Sequence, residues 1–204
     1  VIVDLGTGDG RAVLARARRE PASLVIGIDS DATPMRRASH RAAASAHRGG
    51  VPNAVFLVAA AATLPGPLRG RVNAVTVTLP WGSLLRGLAL PEPVISSAVG
   101  GLLAAGGTLD VVMSIGPADR AMGLEQIDDR LATRLADAYR AFGLDCREAR
   151  KVDRRDVEQL GSSWAKRLGI PERRDAWLFR FGTGATGAAS DGQPPFPDQE
   201  TVRP

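Results

Sequence analysis

Val1-Ile2-Val3-Asp4-Leu5-Gly6-Thr7-Gly8-Asp9-Gly10 is the stretch that decides the fold. Val1–Leu5 is an apolar run carrying a single acid, Asp4, and suits a buried strand of a parallel sheet. Gly6–Gly10 then turns the chain, and a helix is expected near Gly10–Glu20. A strand that passes through a glycine turn into a helix presents backbone N–H groups to a ligand. A second acid, Asp29, follows the next apolar run, Leu24–Ile28, about 20 residues beyond the turn, as expected of a ribose-binding carboxylate. The dinucleotide fingerprint G-x-G-x-x-G does not fit, because Arg11 stands where its third glycine would fall.

Outward from this stretch, apolar runs alternate with helical patterns, which predicts βαβ units and a parallel sheet. Further strands are expected at Ala54–Val58, Val72–Leu79 and Thr108–Ser114. Helices are expected near Thr33–His47, Pro93–Ala104 and Leu124–Phe142, the first capped by the Thr33 hydroxyl, with Gly106-Gly107 turning the next into the fifth strand. Leu144–Lys151 and Ala176–Phe181 read as two late strands, and Trp177, Phe179 and Phe181 share one core-facing side of the second. From about Gly182 to Pro204 the composition turns to Gly, Ala, Ser, Pro, Gln and Asp, which predicts a disordered tail. Residues 1–181 are expected to form one domain.

The chain has 204 residues, enough for a sizeable core, and no apolar run long enough to cross a membrane. Its single cysteine, Cys146, excludes an internal disulfide and a cysteine-rich zinc site; no metal is expected. Net charge is +4, and of 26 cationic residues only Lys151 and Lys166 are lysines. Abundant arginine suits bidentate phosphate contact, but general compositional bias toward Ala, Arg, Gly and Val explains it equally.

Two further segments carry chemistry. The fourth strand runs into Leu79-Pro80-Trp81-Gly82-Ser83-Leu84-Leu85-Arg86-Gly87, with no carboxylate or amide beside the proline. A ring nitrogen has an in-plane lone pair and needs no such helper to attack an electrophilic carbon, whereas an exocyclic amine does. Trp81 therefore suits stacking of a base better than proton chemistry. Ser162-Ser163-Trp164-Ala165-Lys166-Arg167-Leu168 places a tryptophan beside two cations, either stacking a base or anchoring a helix on the sheet. The small residues Ala59–Ala62 after the third strand either admit a flat adenine or form an ordinary loop.

Asp4 followed by G-x-G-x-G resembles motif I of class I S-adenosylmethionine (SAM) methyltransferases. With LPWGSLLRG and SSWAKRL in order, the chain resembles the aminoglycoside-resistance 16S rRNA (adenine 1408-N1)-methyltransferases, the kanamycin–apramycin resistance type, over about Val1–Phe181. The resemblance implies the Rossmann-like α/β fold of class I methyltransferases, with seven strands, mostly parallel, closed by a C-terminal antiparallel hairpin. It implies SAM as cofactor and S-adenosylhomocysteine as product. Asp4, Gly6, Gly8 and Asp29 would form the SAM pocket, Ala61 and Ala62 would border adenine, and Thr78, Leu79, Pro80, Trp81, Gly82 and Ser83 would line the methionine side. Ser162, Ser163 and Trp164 would close over the cofactor, and Trp81 and Trp164 would sandwich a flipped target adenine, with no general base.

The implied partner is 16S rRNA in the 30S subunit, engaged by a monomeric cytoplasmic enzyme with no membrane contact. Charge alone nominates Arg86, Arg147, Arg150, Lys166, Arg167, Arg173 and Arg174 for rRNA phosphates. The family's N-terminal hairpin has no counterpart before Val1, and a missing N-terminal segment is expected. Two other functions stay open on the sequence: a SAM methyltransferase for small molecules, and a non-catalytic SAM-binding, RNA-associated protein.

Overall fold

A computed structural model of the chain describes residues 1–160 and 163–184. β1 (Ile2–Leu5), β2 (Val25–Asp29), β3 (Ala54–Val58), β4 (Val72–Thr78), β5 (Leu103–Met113), β6 (Leu144–Lys151) and β7 (Trp177–Thr183) join in one sheet, in the order β3-β2-β1-β4-β5-β7-β6. The first five are parallel, and β7 lies antiparallel between β5 and β6. This is the expected seven-stranded α/β sheet with its closing hairpin.

Alternation along the strands divides the core between two faces. Ile2 and Val25 pack under α1 (Arg11–Arg19) and α2 (Ala32–Ala42), against Val13, Leu14, Ala17 and Ala38. Val3, Leu5 and Ile28 face the opposite side, where α3 (Gly82–Ala89), α4 (Pro93–Gly100) and, after the short α5 (Pro117–Ala121), α6 (Asp129–Ala138) supply Leu85, Leu88, Val99 and Leu135. Trp177, Phe179 and Phe181 of β7 are all buried on that face, as their alternation predicts, and Phe181 stacks obliquely on Tyr139 with ring centroids 4.7 Å apart.

Several bounds differ from expectation, each for a local reason. α2 ends at Ala42, five residues short of His47, because the chain folds back at once: Val51 N–H donates to the Ala42 carbonyl at 3.0 Å. A Cβ at Gly50 would sit 1.7 Å from the Ala44 carbonyl oxygen, so that return requires glycine. Its cap is Asp31, whose side chain accepts from Thr33 N–H at 2.8 Å; the Thr33 hydroxyl is not the cap. α4 stops at Gly100, and β5 begins at Leu103 rather than Thr108, because Leu102 and Leu103 are drawn into the core beside Val72. Gly106-Gly107 thus lies within a strand irregularity and not at a helix end. The helix expected over Leu124–Phe142 starts late, at α6, where Asp128 caps Leu131 N–H at 2.7 Å, and reaches Phe142 as a 3-10 turn, Tyr139–Phe142. β7 runs on through Gly182 and Thr183, past the expected end at Phe181, because the Thr183 hydroxyl donates to the Ala104 carbonyl at 3.0 Å. The remainder of the expected tail, from Ala185 onward, lies outside the described residues.

The second face of β5, β7 and β6 carries charge. Arg180 bridges Asp110 and Glu148 at 3.0 and 2.8 Å, and Arg150 bridges Glu148 and Asp156 at 2.7 and 2.5 Å. Asp156 lies in the first turn of α7 (Arg154–Leu160), so this ladder fastens that helix to the end of β6. The Arg150 guanidinium holds the Asp156 carboxyl down at about 2, below its ordinary 3.8. A depressed carboxyl stabilises the fold fully above its ordinary value and loses that contribution as pH falls through the lower one. Asp156→Asn is therefore expected to lower Tm at neutral pH by the equivalent of about 1 kcal/mol or less, since the pair meets solvent. The gap to the parent should close between about pH 4 and pH 2. Thermal melts across that range check it, and a gap unchanged at the acid end would show that the ionised carboxylate is not what holds α7.

Candidate active site

Ligands of parallel α/β sheets bind beyond the carboxyl ends of the strands. Here that edge gathers the glycine turn after β1, Asp29 at the end of β2, the small-residue loop after β3 and the Leu79–Ser83 corner after β4. Because β6 runs parallel to β5, its far end reaches the same edge, and α7 and α8 (Ser163–Leu168) connect it there to the start of β7.

Gly6, Gly8 and Gly10 all have left-handed backbone, at φ 74°, 56° and 69°. Their surroundings separate their roles. A Cβ at Gly10 would lie 2.5 Å from Phe56 and 2.7 Å from Ala38, so this glycine serves helix-to-sheet packing. A Cβ at Gly8 would meet no atom within 4 Å, which leaves its backbone open on the ligand side. Gly8 N–H donates to Asp29 Oδ2 at 2.8 Å, and Asp31 N–H to Asp29 Oδ1 at 3.1 Å. Both carboxylate oxygens are thus oriented by backbone donors while each keeps a lone pair for a hydroxyl. This turn, its open glycine and a fixed carboxylate fit the ribose and methionine portions of SAM.

Asp4 lies beneath the turn and is almost fully buried, accepting from the Thr76 hydroxyl at 3.0 Å across the β1–β4 pairing. Burial pushes its carboxyl above the ordinary value, and the Thr7 and Thr76 hydroxyls and Arg16 oppose that rise. It shapes the floor of the turn from below. Thr76 was not legible as a site residue, since only strand pairing sets it beside Asp4.

Ala61 and Ala62 open a 3-10 turn whose approach is tied to β2 by Ala59 N–H donating to the Asp29 carbonyl at 3.0 Å. Thr78 ends β4, and Leu79 follows with φ 51°, the one left-handed non-glycine among the described residues. That conformation costs a leucine about 1–2 kcal/mol and is disfavoured again before proline. Gly82 is left-handed too, so the corner holds two left-handed residues within four positions. Leu84, one turn into α3, lies against Gly6, where a Cβ would be only 3.0 Å from its Cδ2. The corner and the glycine turn are therefore neighbours.

The three tryptophans differ in kind. Trp177 is 3% exposed and belongs to the core, whereas Trp81 is 79% and Trp164 44% exposed. Trp81 stands at the start of α3 and Trp164 on α8, so both exposed indoles lie at the carboxyl edge of the sheet. Ser163 opens α8, and Ser162 lies outside the described residues.

The nominated cations sort by their partners. Arg174 is turned inward: it donates to Ser114 Oγ at 2.7 Å, to the Ser114 carbonyl at 2.8 Å and to Asp119 at 3.2 Å. It clasps the segment after β5, and Gly116 leaves room for its guanidinium, which a Cβ would approach to 2.7 Å. Arg150 is bound in the acid ladder, Arg86 pairs with Glu92 at 3.3 Å, and Arg147 lies over Gly182 near the end of β7. Lys166, Arg167 and Arg173 are exposed at the carboxyl edge with no ion pair among the described residues. No group of three or more His, Cys, Asp or Glu among those residues could hold a metal, and no helix there is long and apolar enough to cross a membrane.

The family model of NpmA, 16S rRNA (adenine(1408)-N(1))-methyltransferase, matches residues 1–183. The chain belongs to this methyltransferase family. The family match ends where β7 ends, so it takes in every element of the sheet. The 16S rRNA (adenine(1408)-N(1))-methyltransferase of Streptoalloteichus tenebrarius is 34% identical over 90% of this chain and 86% of its own length. A crystal structure of the 16S rRNA (adenine(1408)-N(1))-methyltransferase from Catenulisporales acidiphilia, a variant with cosubstrate SAM, superposes with a TM-score of 0.81 at 29% identity, over 90% of this chain and 85% of that one. The antibiotic-resistance methyltransferase Kmr superposes with a TM-score of 0.75 at 34% identity, over 90% and 86%.

Proposed function

We infer that this methyltransferase transfers the methyl group of SAM to N1 of adenine 1408 in 16S rRNA and thereby confers aminoglycoside resistance. The observation that carries the reading is the meeting of two half-sites at one sheet edge: a glycine turn with an oriented Asp29 carboxylate, and two solvent-exposed indoles, Trp81 and Trp164. When bound, SAM supplies a methyl group on a positively charged sulfur. Asp29 would accept its ribose hydroxyls, Gly6 and Gly8 would give the backbone close approach, Ala61 and Ala62 would border its adenine, and Thr78–Ser83 would line its methionine side, with α8 closing over it. Trp81 and Trp164 stack on the two faces of the target base after it leaves the rRNA helix, replacing the stacking it lost.

The Leu79-Pro80-Trp81 corner offers no carboxylate or amide, which favours a ring nitrogen as acceptor because its lone pair is already free. The residues therefore act by positioning and exclusion rather than proton transfer. A methyl group and a positive charge added to a decoding-site adenine oppose the docking of a cationic drug. The substrate in this reading is the assembled small subunit, met by a monomer in the cytoplasm. Mass mapping or primer extension on 16S rRNA from cells expressing the protein should find adenine 1408 methylated; an unmodified base there overturns the assignment.

Lys166, Arg167 and Arg173 are proposed to reach rRNA phosphates beside the Trp164 helix. Arg167→Glu is expected to weaken small-subunit binding most at low salt, because phosphate contacts weaken as salt rises. Binding titrations at two ionic strengths check this, and equal affinities for parent and variant at both would return Arg167 to ordinary surface.

A further inference from the structure

We propose that Leu79 is a positioning residue that sets the two tryptophan walls relative to each other through a small buried cluster. This rests on the base-stacking role of Trp81 and Trp164 inferred above. Leu79 adopts the strained left-handed conformation, and its N–H donates to the Val112 carbonyl at 2.8 Å, one pairing beyond the end of β4. Its side chain is 4% exposed and enters a cluster separate from the main core. That cluster joins Val112 and Leu178 on the sheet to Val152, Val157, Ala165 and Ile170 of the segment carrying α7 and α8.

Two residues after Leu79 comes Trp81; one residue before Ala165, which is fully buried, comes Trp164. Each exposed indole is thus hung from a buried neighbour, and both neighbours belong to one apolar unit. A left-handed leucine persists only where its surroundings over-determine it, and such strain collects at functional positions. Here the strand bond and the cluster hold Leu79, and the corner it makes turns Trp81 outward. Glycine would satisfy the backbone without strain. A leucine at this place is explained by its side chain, which belongs to the same buried cluster as Ala165 of the Trp164 helix.

The test compares Leu79→Gly, Leu79→Met and Val157→Ala with the parent, all as full chains, in SAM calorimetry and in steady-state methylation of purified small subunits. Because the Leu79 side chain is buried in the cluster, only its backbone can flank SAM; Leu79→Gly keeps that backbone turn but removes the link, and is expected to lower kcat about 100-fold, as a misplacement of about 1 Å in a reacting pair does, with SAM affinity and subunit KM changed less than about threefold. Leu79→Met should restore kcat to within about threefold, since it refills the cluster at similar volume. Val157→Ala, which touches the cluster from α7, should lower kcat in the same selective way, and it keeps the test alive if a Leu79 variant fails to fold. A Leu79→Gly enzyme with the parent kcat overturns the proposal. So does a loss that follows only the folded fraction, with kcat per folded molecule unchanged. Trp164→Ala, run alongside, separates the two ideas: if it methylates normally, stacking itself is wrong, whereas an inactive Trp164→Ala with an active Leu79→Gly removes only the link.

Discussion

Replacing Trp164 by alanine is expected to cut kcat/KM for small-subunit methylation by roughly 100-fold or more while SAM affinity stays close to that of the parent. Trp164 is nearly half exposed on a short helix whose next residue, Ala165, is fully buried, so truncating the indole leaves the anchoring contact of that helix in place. What is lost is one aromatic face for a base that has abandoned its own stack. Such a face contributes about 1–3 kcal/mol, or up to roughly 100-fold, and a base held on one side only also samples poor angles of attack. Trp164→Phe keeps a smaller face and should retain much of the activity. Calorimetry with SAM beside single-turnover methylation checks both halves; parallel loss of SAM binding and methylation would move Trp164 from the target base to the cofactor. The same substitution at Trp177 provides the contrast, because that side chain is core and its loss should appear as unfolding.

Replacing Asp29 by alanine should weaken SAM binding by about 100-fold or more. The carboxylate is positioned by Gly8 N–H at 2.8 Å and Asp31 N–H at 3.1 Å, and in the proposed complex it accepts both ribose hydroxyls. Hydrogen bonds to a charged acceptor contribute about 1.5–3 kcal/mol each, and alanine removes them together with the partner of the Gly8 amide. Because that amide belongs to the turn itself, the variant also loosens the backbone that Gly6 and Gly8 offer. Asp29→Asn keeps one oxygen acceptor and should fall between the two. Isothermal titration with SAM reads the effect directly; a dissociation constant unchanged in Asp29→Ala would remove Asp29 from the ribose site.

The two halves of the site were legible to different degrees. The glycine turn and Asp29 could be located from sequence because their chemistry is local: an apolar run, a turn that only glycine adopts and an acid at fixed distance are all short-range facts. The division of labour within that turn was not, since Gly8 faces open space and Gly10 faces Phe56 only once β3 and α2 are in place. The helices α3, α5, α7 and α8, of five to eight residues, are too short for periodicity to declare them. Arg174 shows the same limit from the other side. Its charge nominated it for phosphate, but the fold supplies Ser114 and Asp119 within hydrogen-bonding distance and turns it inward.

By itself, the sequence determined the parallel sheet, the glycine turn, the acid that closes β2, and tryptophans with no acid or amide beside them. Those follow from hydrophobic alternation and from backbone conformations that few residues tolerate. Tertiary structure alone decided that the Trp164 indole stays in water, which cations remain unpaired, and that a leucine is held left-handed between the two exposed tryptophans' supports. Exposure, pairing and imposed strain are properties of what packs alongside a residue, and strand order with helix placement settles that only after residues far apart in the chain have met.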